Sequence, residues 1–255
     1  MSADAAGLSI VWPAFVAGLL VTATHAPLGI HVLRRGIVFI DLAVAQIAGL
    51  GVIVAHWLGF DAHGVVVQAA AFSAAIAGAL LLHWTDKRWP EVQEAVIGVT
   101  FILAANAAIL LLAANPRGAE HLKDLLIGQI LWVDPQAMLI VAIVYAGLLF
   151  AWRLLGSRSP QTVFYVVFAI AVTISVQLVG LYLVFTTLIV PALATRHFQR
   201  WRVGFAFLVG ALGYALGLAL SLLSDLPAGP LVVCAMIAVG LVPFALTPNA
   251  FREPA

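Results

Sequence analysis

Apolar stretches long enough to cross a bilayer follow one another along nearly the whole chain, and that succession constrains the fold more than any motif. A helix needs about 20 mostly apolar residues to span the hydrocarbon core. By that rule spans are expected at residues 8–32, 37–60, 63–84, 92–114, 135–153, 162–182, 203–223 and 227–247. Lipid offers no partner to exposed backbone N–H and C=O groups, so segments of this kind read as helices. The expected fold class is therefore all-α, a polytopic membrane helical bundle of about eight transmembrane helices. The segment 183–197, LVFTTLIVPALATRH, is apolar but short and carries Pro191, which predicts a further short helix, broken or re-entrant. Composition agrees: 64% of the residues are hydrophobic and 9% charged, where soluble domains carry about a quarter charged. No connection is long enough for a soluble domain, so residues 1–255 are expected to form a single transmembrane domain.

The basic residues orient this layout. Arg34 and Arg35, Lys87 and Arg88, Arg153 and Arg158, then Arg196, Arg200, Arg202 and Arg252 fall at alternate connections. If those connections are cytoplasmic, ten of the twelve basic residues lie inside and only Arg117 and Lys123 lie outside, as the positive-inside rule requires. The expected topology has an external N-terminus and a cytoplasmic C-terminus. The N-terminal MSADAAGLSI lacks the positive region of a signal peptide, so the first apolar stretch reads as the first span. Cys234 is the single cysteine, which excludes an internal disulfide. No basic tail suggests nucleic acid as a partner. Gly210, Gly213 and Gly217 recur at helical spacing, which predicts close helix packing.

One acidic residue out of eleven, Asp41, falls well inside an expected span. Glu94 stands within a few residues of a span end. An ionisable group in the hydrocarbon costs roughly 2.5–3.5 kcal/mol on insertion scales, and one that persists usually faces the bundle interior, a partner or water. Counted along a continuous helix, Asp41 stands about 10 Å from Arg35. It reads either as an interhelical hydrogen-bonding residue or as an oxygen ligand or proton site on a transport path. Gln46 follows five residues later, about 140° around a regular helix, so the two share no face unless the helix is broken. Of the seven histidines, His121 lies in AEHLKD with Glu120 and Asp124 on the expected outer side, where a metal could arrive. His25 lies in the first span. Imidazole and carboxylate suit zinc and its neighbours, although no HxxxH or CxxC spacing occurs. The phosphate-binding GxxxxGK[ST] loop, an HExxH pair and a nucleophile elbow are all absent from the sequence, which argues against an enzyme.

Several stretches, in order, resemble the permease subunits of the zinc and manganese ABC importers, the ABC-3 family. They are PLGIHVLRRGIVFIDLAVAQIAGLGV (27–52), EAVIGVTFILAANAAILLL (94–112), HLKDLLIGQILWV (121–133), SVQLVGLYLVFTTLIVPALATR (175–196) and DLPAGPLVV (225–233). The resemblance implies a type II importer-like permease domain in the inner membrane, paired with a second copy of itself. It implies a cytoplasmic ABC ATPase subunit as motor and a periplasmic or extracellular metal-binding protein as donor. The cargo would be a divalent transition metal, zinc first and manganese second, with no permanently bound cofactor. The resemblance also implies a transient ion contact through an aspartate and a histidine on the second helix. Asp41 matches that aspartate; the histidine's place, four residues on, is Ala45, and Gln46 stands beside it. The connection 153–162, where relatives carry a longer coupling segment, is short here. Two rival readings are a proton-coupled secondary transporter using Asp41, and an ABC permease for a metal chelate or vitamin.

Overall fold

The computed structural model describes residues 3–60, 64–112, 130–156, 160–224 and 226–246. Among them are nine α-helices and no strand. They are α1 (Ala3–Arg35), α2 (Ile40–Trp57), α3 (Val65–Arg88), α4 (Gln93–Leu112), α5 (Pro135–Leu155), α6 (Pro160–Val179), α7 (Leu181–Ala194), α8 (Arg202–Ser224) and α9 (Ala228–Leu246). Single 3-10 turns at Pro90–Val92 and Ile130–Trp132 precede α4 and α5. Six segments are long and apolar enough to cross a membrane: Val11–Arg35, Ile40–Trp57, Val65–Arg88, Gln136–Leu155, Gln161–Val179 and Arg202–Ser224. Leu181–Ala194 and Ala228–Val242 are shorter apolar helices.

The short segment predicted around 183–197 is a helix, but its discontinuity is not at Pro191. That proline lies inside α7, which continues to Ala194. The break is at Gly180, whose φ of 87° separates α6 from α7; glycine takes that backbone conformation without a Cβ clash. At 14 residues α7 is about 21 Å long, short of the hydrocarbon thickness. A second glycine, Gly36 at φ 70°, ends α1 and opens a non-helical link to α2.

Two compact units divide the chain. One comprises Met1–Arg35, Ile127–Ala142 and Leu178–Ala255. In it α1 packs against α7 and α8, and α9 packs against α7 and α8. The predicted glycine stripe has the expected effect: a Cβ on Gly213 would stand 2.7 Å from the Cβ of Met236, and one on Gly217 would meet the backbone of Val232. The fully buried Tyr214 shares a hydrogen bond with the Thr187 hydroxyl at 3.0 Å.

The other unit comprises Gly36–Leu126 and Ile143–Gln177. Here α2 packs against α3 and α4. The backbones of α2 and α3 come so close that a Cβ on Gly51 would lie 2.8 Å from the Ala70 carbonyl oxygen. The corner between α3 and α4 is pinned by buried Gln93. Its Nε2 donates to the Leu82 carbonyl at 2.9 Å, and its Oε1 accepts from the Thr85 hydroxyl at 3.0 Å. The His83 ring lies 5.0 Å from that of Tyr165, and its Nε2 is 3.0 Å from the Thr162 hydroxyl. These bonds satisfy polar groups that lipid could not.

Candidate functional site

Asp41 is the second residue of α2. The sequence-based depth of this residue needs correction. Residues 36–39 are not helical, so the rise per residue counted from Arg35 does not apply, and Asp41 sits in the first turn of its helix rather than deep along it. It is nevertheless fully buried, at 0% exposure. Neither carboxylate oxygen makes a hydrogen bond to any described residue. The polar groups around it are the first-turn N–H groups of Asp41 and Leu42, and the carboxylate of Glu94. A helix N-terminus carries about half a positive charge and favours an anion there. That accounts for part of the carboxylate's tolerance in this position, and the two unpartnered oxygens are what it leaves over.

Glu94 was passed over in the sequence because it stands at a span end. It is the second residue of α4, as Asp41 is of α2. Its Oε1 accepts the Val38 N–H at 2.6 Å, which ties α4 to the link that starts α2. Its Oε2 is buried with no hydrogen-bond partner among the described residues. The signal that could have found it is an acid at the start of an otherwise uncharged apolar helix, where the dipole rewards it.

The other predicted residues are not brought to this place. α2 is unbroken from Ile40 to Trp57, so Gln46 remains about 140° around the helix from Asp41; it is half-buried. Ala45, one turn beyond Asp41, is buried and supplies no ligand. His25 belongs to the other compact unit, at 0% exposure. Its Nδ1 lies 3.1 Å from the Val21 carbonyl, and its Nε2 has no hydrogen-bond partner among the described residues. Glu120, His121 and Asp124 lie outside the described residues. Among the described residues no group of three or more His, Cys, Asp or Glu side chains is placed to hold a metal ion.

A buried acid in an apolar helical protein marks a candidate functional site, and comparison with known families says what kind of protein carries it. The model of the ABC 3 transport family matches residues 8–159 and 153–247, almost the entire chain. This chain belongs to the ABC 3 transport family. It is similar to the high-affinity zinc uptake system membrane protein ZnuB of Haemophilus influenzae, at 24% identity over 88% of this chain and 92% of that protein. It is also similar to the ZnuB protein of Buchnera aphidicola, at 20% identity over 88% of this chain and 92% of the relative. The solved structure of PsaBC from Streptococcus pneumoniae in complex with Fab contains a chain of the same fold. The TM-score is 0.74 at 22% identity, with 96% of this chain and 95% of that chain covered. An ABC 3 transport family member of this build is a membrane permease subunit of an ABC transporter, and its place is in transport rather than catalysis. The all-α membrane-bundle fold class therefore rests on the helices, six of them long and apolar enough to span among the described residues, and on a matching solved fold.

Proposed function

We propose that this chain is the single-domain, inner-membrane permease subunit that carries a divalent first-row metal ion, zinc or manganese, into the cytoplasm. Two copies would form the channel. A separate ATPase subunit would drive it, and an outer metal-binding protein would deliver the ion. The N-terminus would lie outside and the C-terminus in the cytoplasm. The basic residues at alternate connections support that orientation.

The observation that carries the reading is the Asp41 carboxylate, fully buried with both oxygens unpartnered. A buried charge without a partner is costly, and its presence is explained when a passing cation supplies the partner. The binding must be weak enough to release the ion, which agrees with the lack of any group of three or more His, Cys, Asp or Glu side chains placed to hold a metal among the described residues.

Uptake of radiolabelled zinc and manganese in cells tests this. Asp41→Ala should lower uptake about tenfold or more, the consequence of losing an interaction worth about 1.4 kcal/mol or more. Gln46→Ala should have a smaller effect. Normal transport by a membrane-inserted Asp41→Ala protein would refute the ion-contact reading. In vesicles, uptake should require ATP and survive collapse of the proton gradient; the opposite pattern would make the chain a proton-coupled carrier.

A further inference from the structure

We propose that Glu94 is the second carboxylate of the Asp41 site, and that the pair binds one divalent cation through oxygen atoms alone. This rests on the reading of Asp41 as the ion contact and adds its partner and the class of ion.

Asp41 and Glu94 occupy the same position, the second residue, on two helices packed against each other. The Val38 N–H bond at 2.6 Å holds one Glu94 oxygen at the link three residues before Asp41. That bond places the Glu94 carboxylate near enough for its charge to be felt at the Asp41 carboxyl group, a smaller influence there than burial. Three carboxylate oxygens are thus buried and without a hydrogen-bond partner among the described residues: Oδ1 and Oδ2 of Asp41, and Oε2 of Glu94. The N-termini of α2 and α4 each offer about half a positive charge to the pair. What remains is a desolvated pair of carboxyl groups with three unpartnered oxygens among the described residues, and a cation is the species that completes it.

The donor atoms set the class of that cation. Carboxylate, carbonyl and water suit manganese, magnesium and calcium, whereas imidazole suits zinc and copper. Among the described histidines of this unit, His83 has its Nε2 at the Thr162 hydroxyl. His56 stands in the last turn of α2, at the opposite end from Asp41. Position 45, one turn from Asp41, is alanine, and Gln46 lies about 140° around the helix and carries no imidazole. The site is therefore built for a hard, oxygen-coordinated ion such as Mn²⁺, and not as a nitrogen-rich zinc centre.

The test uses the purified full chain in detergent with Mn²⁺ alone as probe. Binding is read from the electron paramagnetic resonance signal of free Mn²⁺, and Co²⁺ absorption reports the donor geometry. Glu94→Gln keeps an oxygen for the Val38 N–H and removes only the charge. It should weaken Mn²⁺ binding about tenfold or more, with metal-free thermal unfolding no lower than wild type, while Glu94→Asp retains binding even if the glutamine variant proves unstable. Co²⁺ should give the weak absorption of an octahedral oxygen site. If Glu94→Gln binds as well as wild type while Asp41→Asn does not, this inference falls and the role of Asp41 stands. If neither substitution changes Mn²⁺ binding, or the wild-type chain binds none, both fall. An intense tetrahedral Co²⁺ band that disappears in His25→Ala would show a nitrogen donor and overturn the oxygen-only site.

Discussion

Replacing Asp41 by asparagine should stabilise the metal-free protein while destroying its transport. The side chain is fully buried, and neither oxygen has a hydrogen-bond partner among the described residues. A charged residue at the centre of a spanning helix costs roughly 2.5–3.5 kcal/mol, and one in the first turn, as Asp41 is, less than that. The first turn of α2 returns about 0.3–1 kcal/mol of that through the helix dipole. The neighbouring Glu94 charge works in the opposite direction. Asparagine keeps the shape and removes the charge, yet remains a polar group that prefers a partner, so the expected net gain is about 1–2 kcal/mol. Unfolding of the purified chain in detergent, with chelator present, measures it. Saturating metal should reverse the order, because an ion at 100 times its Kd stabilises the wild type by about 2.7 kcal/mol and the variant hardly at all. The competing view, in which Asp41 is an interhelical hydrogen-bonding residue, predicts the other sign: Asp41→Asn would lower stability with or without metal. A less stable metal-free variant would refute the reasoning.

Two glycines provide a matched pair. A Cβ at Gly51 would press 2.8 Å from both the Ala70 carbonyl oxygen and the Ala74 Cβ, so Gly51→Leu should destabilise the fold by about 1–3 kcal/mol in the same unfolding assay. Gly98 lies within α4 with nothing within 4 Å of its Cβ position, and Gly98→Ala should stabilise by about 0.5–1 kcal/mol. Gln93→Leu should cost about 1–3 kcal/mol, since it removes two buried bonds, to Leu82 and Thr85, while the Leu82 carbonyl keeps the Thr85 hydroxyl at 2.9 Å. A Gln93→Leu protein as stable as wild type would show that the α3–α4 corner is held by its apolar contacts alone.

The helices were legible because hydrophobic length needs no tertiary information: a run of about 20 apolar residues has few stable options besides a spanning helix. The glycines at 210, 213 and 217 read correctly as packing positions for the same reason, since small side chains at helical spacing are where helices can approach. Pro191 misled about the break, because proline is tolerated inside an apolar helix, whereas Gly180 imposes a positive φ. The link at 36–39 was equally hidden, as its residues are as apolar as the helix that follows.

By itself the sequence determined the fold class, the order of the helices and the single acid on which a transport reading turns. Its motifs, in order, also carried the resemblance to the ABC-3 family. Only the tertiary structure decided that Asp41 begins its helix and has no hydrogen-bond partner among the described residues, that Gln46 does not share its face, and that Glu94 is tied to the link just before it. The physical reason is that Asp41 and Glu94 stand 53 residues apart in the chain. No local pattern records a meeting made only when α4 packs on α2, and the bond from Val38 to Glu94 exists nowhere but in that packing.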